Sequence, residues 1–215
     1  MKYLVISGID GSGKTTIIER TREHFNNNNI HSFYIWLRFN HYFCKGMHAL
    51  ARLLGFSVKK SSYRGEAWFH EFYRSKVFCA VYIRMTYLDT IIGCLKLRFR
   101  LPRKGAVEYV ICDRWVPDVL VDLAVKMHRE DFLDSIWYRR FISLMPADVQ
   151  MFLIVRNTCN LLECREENGE DPDFTFRERV YQKLKEKLEI NVIDNNGSID
   201  KTVKAFLRVI EFDKA

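Results

Sequence analysis

Three residue types could do chemistry together near the N-terminus: glycines, a lysine and a hydroxyl. They occur as Gly8-Ile9-Asp10-Gly11-Ser12-Gly13-Lys14-Thr15, with Thr16 next. This is the spacing G-x-x-x-x-G-K-[ST], in which the backbone curls so that successive N–H groups point inward around phosphate oxygens. The lysine can reach the outer phosphates, and the Thr15 hydroxyl can bind Mg²⁺. The phosphate-holding set is therefore Asp10, Gly11, Ser12, Gly13, Lys14, Thr15 and Thr16. A second carboxylate is expected across the fold. Val107–Cys112 is an apolar run closed by Asp113-Arg114. A carboxylate at the end of a strand beside the cradle can hold the same metal, directly or through water, so Thr15 and Asp113 are the candidate Mg²⁺ residues.

These groups need elements to position them. Tyr3–Ser7 is apolar with β-branched residues and reads as a buried strand. The stretch after Thr16 reads as a helix with Ile17, Ile18 and Phe25 on one face. Further strands are expected at Ser32–Leu37, Val107–Cys112, Val149–Val155 and Ile190–Ile193. Helices are expected at Met47–Leu54, Val116–His128, Phe132–Leu144, Thr158–Arg165 and Arg177–Leu188, and after a Ser198 cap. Ser57–Gly65 reads as a loop and Glu66–Phe99 as one or two helices. Strands alternating with helices predict an α/β fold: a three-layer P-loop NTPase with a five-stranded parallel sheet flanked by helices, residues 1–215 forming one domain.

Arginines supply the remaining candidates. Arg38 follows the second strand, where ligands bind in open α/β sheets. Arg84 interrupts an apolar helical stripe and needs a carboxylate or a bound phosphate. Arg114 adjoins Asp113. Glu166–Phe174 is acidic and broken by Gly169 and Pro172, with Arg165 before it and Arg177 and Arg179 after. That composition suits a lid over residues 160–178 that brings Arg165 to a phosphoryl-transfer site.

The bulk numbers set bounds. The 215 residues are 48% hydrophobic, enough for one core, and the net charge of +7 suits polyanions. There is no dense Lys/Arg tract, so a nucleic-acid partner is not expected. Six cysteines at 44, 79, 94, 112, 159 and 164 form no C-x-x-C pair, which reads as a reduced cytoplasmic protein. No signal peptide is expected, because Gly8 and Asp10 interrupt the first apolar run. Val77–Leu97 is apolar but divided by Arg84, Asp89 and Lys96, so no membrane partner is expected. The aromatic face within 66–99 reads first as core, with a homodimer contact or a stacked base as alternatives.

Taken together, the chain resembles the thymidylate kinase family. The likeness rests on GIDGSGKTT at Gly8–Thr16, on Cys112-Asp113-Arg114-Trp115, on Arg156 through Arg165 to Tyr181, and on Val192-Ile193-Asp194. It implies ATP and Mg²⁺ as cofactors and phosphoryl transfer to a nucleoside monophosphate, dTMP to dTDP. It also implies Lys14, Arg165 and Asp113 as catalytic residues, and Asp10, Arg84 and Arg114 on the acceptor; Arg38 stays an acceptor candidate from its strand-end position alone. The chain departs from the family after the second strand, where Trp36-Leu37-Arg38-Phe39-Asn40 replaces Arg-Glu-Pro. The acceptor could therefore be thymidylate, another nucleotide or nucleoside, or a smaller metabolite. A nucleotide-dependent regulator is the rival outside the kinases. The Asn-Lys-x-Asp and Leu-Ser-Gly-Gly signatures of switches and transporters are absent.

Overall fold

β1 (Lys2–Ser7) is the central strand, and its Leu4, Val5 and Ile6 have no exposed surface. A parallel strand covered on both faces reads as an unbroken apolar run. The computed structural model describes residues 1–37, 42–62, 65–103, 105–164, 169 and 171–212, with side chains described except at 60–62, 65–67, 211 and 212.

Five strands form one parallel sheet in the order β2-β5-β1-β6-β7, with β2 at Ser32–Trp36, β5 at Tyr109–Asp113, β6 at Val149–Val155 and β7 at Ile190–Asp194. This is the expected P-loop α/β architecture. Alternation along the strands splits the core in two. Leu4, Ile6, Ile111, Phe152 and Ile154 face α1 (Lys14–Asn27) and the last helix, Ile199–Phe212. Val5, Val110, Cys112 and Leu153 face the other way, toward α4 (Val116–Lys126) and the helix Phe174–Lys187.

The segment between β2 and β5 corrects the sequence reading. Ser57–Ser62 and Gly65–His70 are neither loop nor helix. β3 (Ser57–Ser62) and β4 (Gly65–His70) form a separate two-stranded antiparallel sheet. The aromatic residues near 70 satisfy helical and strand periods equally, and tertiary partners decide between them. The Ser57 hydroxyl lies 2.7 Å from His70 Nδ1, and His70 stacks on His48 at 4.5 Å. α3 starts only at Lys76 and runs to Arg100, capped by Ser75, whose side chain accepts from Phe78 N.

α2 (Phe43–Leu53) starts four residues earlier than its apolar pattern, because buried Asp89 on α3 accepts from the amides of Phe43 and Cys44 at 2.9 and 3.0 Å. The expected helix Phe132–Leu144 divides into a 3₁₀ turn at Glu130–Asp134 and α5 (Ile136–Ile142), since Ser135 caps a fresh start. α6 is Thr158–Cys164; the helices at 174–187 and 199–212 are α7 and α8.

Among the described residues, α3 alone is long and apolar enough to cross a membrane by length and composition. In this fold its Phe78, Tyr82 and Asp89 are interior, while Arg84 and Lys96 are exposed. The core reading of the aromatic stripe therefore holds for Phe72, Phe78 and Tyr82. Leu88, Leu95 and Phe99 are exposed.

Candidate functional site

β1 ends at Ser7, and the chain turns through Gly8–Gly13 into α1. Gly8 and Gly13 have φ of 143° and 94°, outside the range of ordinary side chains. Space demands glycine as well. A Cβ at Gly8 would lie 2.5 Å from the Ile154 carbonyl oxygen, and one at Gly13 would lie 2.2 Å from Asn195 Nδ2. Asn195, just past β7, donates to the Ser12 carbonyl at 2.8 Å and braces the loop from behind. α1 has no side-chain cap and no acid in its first turn, so its leading amides suit an anion.

Lys14 is buried and folds back over the loop. Its Nζ donates to the carbonyls of Gly8 and Ile9 at 2.8 and 2.6 Å and to Ser12 Oγ at 3.3 Å. Burial first, and the Arg114 charge second, bring its pKa down to about 7 against the pull of Asp10, Asp118 and Asp113. The free protein at pH 8 thus holds Lys14 mostly neutral, and a polyphosphate would restore the proton. ATP binding at pH 8 is expected to take up roughly one proton, fading below pH 6 where the amine is already charged. Binding enthalpies in buffers of different ionisation enthalpy measure this; a buffer-independent enthalpy at pH 8 would contradict it.

β5 delivers the opposite wall. Ile6 of β1 pairs with Asp113, and Trp36 of β2 pairs with Asp113 on the far side, so Asp113 lies beside the cradle. It is 8% exposed and accepts from Tyr34 OH at 3.1 Å. Burial raises its pKa, with Tyr34 and Arg114 opposing. Arg114 takes a left-handed φ of 61°, and its side chain turns back into the protein. Nη1 donates to Asp118 Oδ1 at 2.6 Å, and Nη2 donates to Asp10. Asp118 in turn accepts from Ser7 Oγ at 2.6 Å and from Tyr181 OH at 2.8 Å. Burial works against the Arg114 charge, yet Asp118, Tyr181 and Asp10 outweigh it and raise its pKa.

These side chains border one cleft of about 510 Å³, lined by Asp10, Gly11, Gly13, Lys14, Thr15, Thr16, Trp36, Asp113, Arg114, Arg156 and Cys164. Of the residues expected from sequence, all but Ser12, Arg38, Arg84 and Arg165 meet there. Ser12 is buried beneath Lys14. Arg38 and Arg165, with most of residues 165–170, lie outside the described residues. Arg84 stands apart from the cleft: it donates to the Ala80 carbonyl of its own helix at 2.7 Å and lies over the Trp137 ring at 5.6 Å. Its side chain is exposed, so water and this ring face meet its charge without requiring a carboxylate or phosphate.

Four contributors went unread in the sequence: Tyr34, Trp36, Asp118 and Arg156. Asp118 had a signal, since it is four residues after Arg114 on a helix start. Arg156 had another, since like Asp113 it follows directly on an apolar strand.

Thr15 and Asp113 fit a metal. Both line the cleft, and Asp113 is a largely buried carboxylate that a cation would suit. Among the described residues no cluster of three or more His, Cys, Asp or Glu forms a cage. Two protein ligands completed by phosphate oxygens and water are the usual Mg²⁺ arrangement.

No protein-family model matches the chain, and no curated protein matches it in sequence. Among solved structures, it is similar to thymidylate kinase from Candida albicans, with a TM-score of 0.63 at 15% identity over 99% of this chain and 92% of that one. At that identity the likeness carries the fold alone: the chain shares that protein's α/β architecture over nearly its whole length.

Proposed function

We propose that this chain is an ATP-dependent phosphotransferase acting on a nucleoside monophosphate, with dTMP as the first acceptor to test. One observation carries the reading: Lys14, Thr15, Asp113 and Arg114 reach a single cleft bordered by the cradle amides. The amides of Gly11–Thr16 bind the β- and γ-phosphates. Lys14 exchanges the Gly8 and Ile9 carbonyls for phosphate oxygens. Thr15 and Asp113 would hold Mg²⁺, which when bound offsets charge on those oxygens. An acceptor phosphate oxygen attacks the γ-phosphorus in line, the bond to the β–γ bridging oxygen breaks, and ADP departs. Arg114, oriented by Asp118, faces the acceptor, and Asp10 accepts from an acceptor hydroxyl. Arg38 and Arg165 keep the acceptor and lid roles drawn from the sequence. Arg84, stacked on Trp137, is left out of the site. The exposed Val77, Leu88, Leu95 and Phe99 of α3 offer a homodimer contact, and six free thiols suit a cytoplasmic setting.

A second reading has its own support. Both Nη atoms of Arg114 already hold carboxylates, so this side of the cleft also suits a neutral hydroxyl acceptor. Asp113 would then be the proton acceptor.

An ADP-release screen over nucleoside monophosphates, nucleosides and small metabolites, with Lys14→Ala as blank, separates these readings. Release dependent on dTMP or another monophosphate supports the first. Release dependent only on a nucleoside or other alcohol supports the second. Release driven by nucleic acid or protein instead would point to a regulator. Arg165→Ala should lower kcat more than nucleotide affinity; a change confined to KM would reduce Arg165 to a binding role.

A further inference from the structure

Three basic side chains line the cleft, and two of them are already answered. Lys14 is held by carbonyls, and Arg114 by two carboxylates. Arg156 is the third. It is the first residue after β6, the neighbour of β1 on the side away from Asp113. Its Nη1 donates to the Gly11 carbonyl at 3.3 Å and lies 2.8 Å from Cys164 Sγ. Its Nε is buried with no hydrogen-bond partner. Among the described residues no carboxylate pairs with it.

Among the described residues this guanidinium has no counter-charge, and its buried Nε–H is unanswered, so an arriving anion would meet an unmet donor. The planar fork matches phosphate geometry, and its contact with Gly11 places it at the cradle itself. Asp113 and Arg114 border the cradle from β5; Arg156 borders it from β6. We infer that Arg156 is the arginine that meets the polyphosphate of the bound nucleotide, on the β6 side of the cradle. The sequence assigned such a contact to Arg165 of the lid. The inference rests on the cradle reading above and deepens it. A neutral thiol and a carbonyl are weak partners for a cation, so both give way when phosphate oxygens arrive.

The test is a set of equilibrium titrations of the full chain with ATP, ADP and inorganic tripolyphosphate in Mg²⁺. R156Q should weaken ATP and tripolyphosphate about 10- to 100-fold, the range of a lost charge-assisted hydrogen bond. ADP should lose less, and R156K should recover part of the loss. Thermal unfolding confirms that R156Q is folded; R156M, of similar volume, replaces it if it is not. A folded variant that binds tripolyphosphate like the wild type overturns the inference. Loss of ATP affinity with tripolyphosphate unchanged overturns it too, because Arg156 would then serve the base. Lys14→Ala in the same titration tests the cradle separately. Wild-type tripolyphosphate affinity in that variant removes the cradle reading, whatever Arg156 does.

Discussion

Lys14→Ala is expected to reduce kcat by at least ~10²–10³-fold, the loss seen when one preorganised donor to developing charge is removed. The reason lies in where the amine sits. It is enclosed between the Gly8 and Ile9 carbonyls, with a pKa brought down to about 7 by burial. A lysine so placed contributes little to the resting fold, because its charged form is the one that burial disfavours. Between pH 7 and its ordinary value of 10.5 the unfolded chain binds more protons at this side chain than the folded one. Its cost to stability therefore shrinks as pH rises through that window. Lys14→Met, which keeps the volume, should accordingly melt within a few degrees of wild type while remaining inactive. ADP release and thermal unfolding on the same samples check both halves. Near-normal ADP production by either variant would end the cradle assignment.

Asp118→Ala is expected to be the most destabilising single change near the site. Asp118 is 2% exposed and takes three donors: Ser7 Oγ, Arg114 Nη1 and Tyr181 OH. Removing it leaves a buried guanidinium short of a partner and the Ser7 hydroxyl unanswered, while Tyr181 OH keeps only the Gly8 carbonyl at 3.3 Å. Breaking a buried pair from one side costs about 3–5 kcal/mol. For a chain of this size that corresponds to a Tm lower by roughly 6–20 °C. Asp118→Asn, which keeps the shape and one acceptor, should lose less. Arg114→Met combined with Asp118→Ala should cost less than the sum of the two single changes, because the stranded charge is gone. A Tm for Asp118→Ala within ~2 °C of wild type would show that water or Asp10 replaces the carboxylate at no cost. The positioning of Arg114 would then have to be sought elsewhere.

The parts of the site that were legible are those written in consecutive residues. The strand-loop-helix around Gly8–Thr16 needs only glycine freedom and a lysine at the helix start, and the sequence order supplies both. The apolar strand ending in Asp113 was legible for the same reason, and parallel pairing of β1 with β5 places it by the loop. Arg84 was read as an arginine inside an apolar stripe, and the fold leaves its side chain exposed. Its partner is the Trp137 ring, 53 positions along the chain and invisible to helical spacing. The paired strands Ser57–Ser62 and Gly65–His70 misled because their aromatic residues fit two periods, and the stack of His70 on His48 of another element is a contact no local period encodes.

The sequence by itself determined the glycine loop between strand and helix, the alternation of strands and helices, and hence a parallel sheet. Each follows from local backbone preference and from burial of contiguous apolar runs, which act over a few residues. The tertiary structure alone decided which charges are satisfied. Asp118 meets Ser7 across 111 positions and Tyr181 across 63, and Arg156 meets Gly11 across 145. Such partners are set by how strands order and helices pack, and no local pattern encodes them. That is why Arg114 emerges as neutralised and Arg156 as a cation with no carboxylate partner among the described residues.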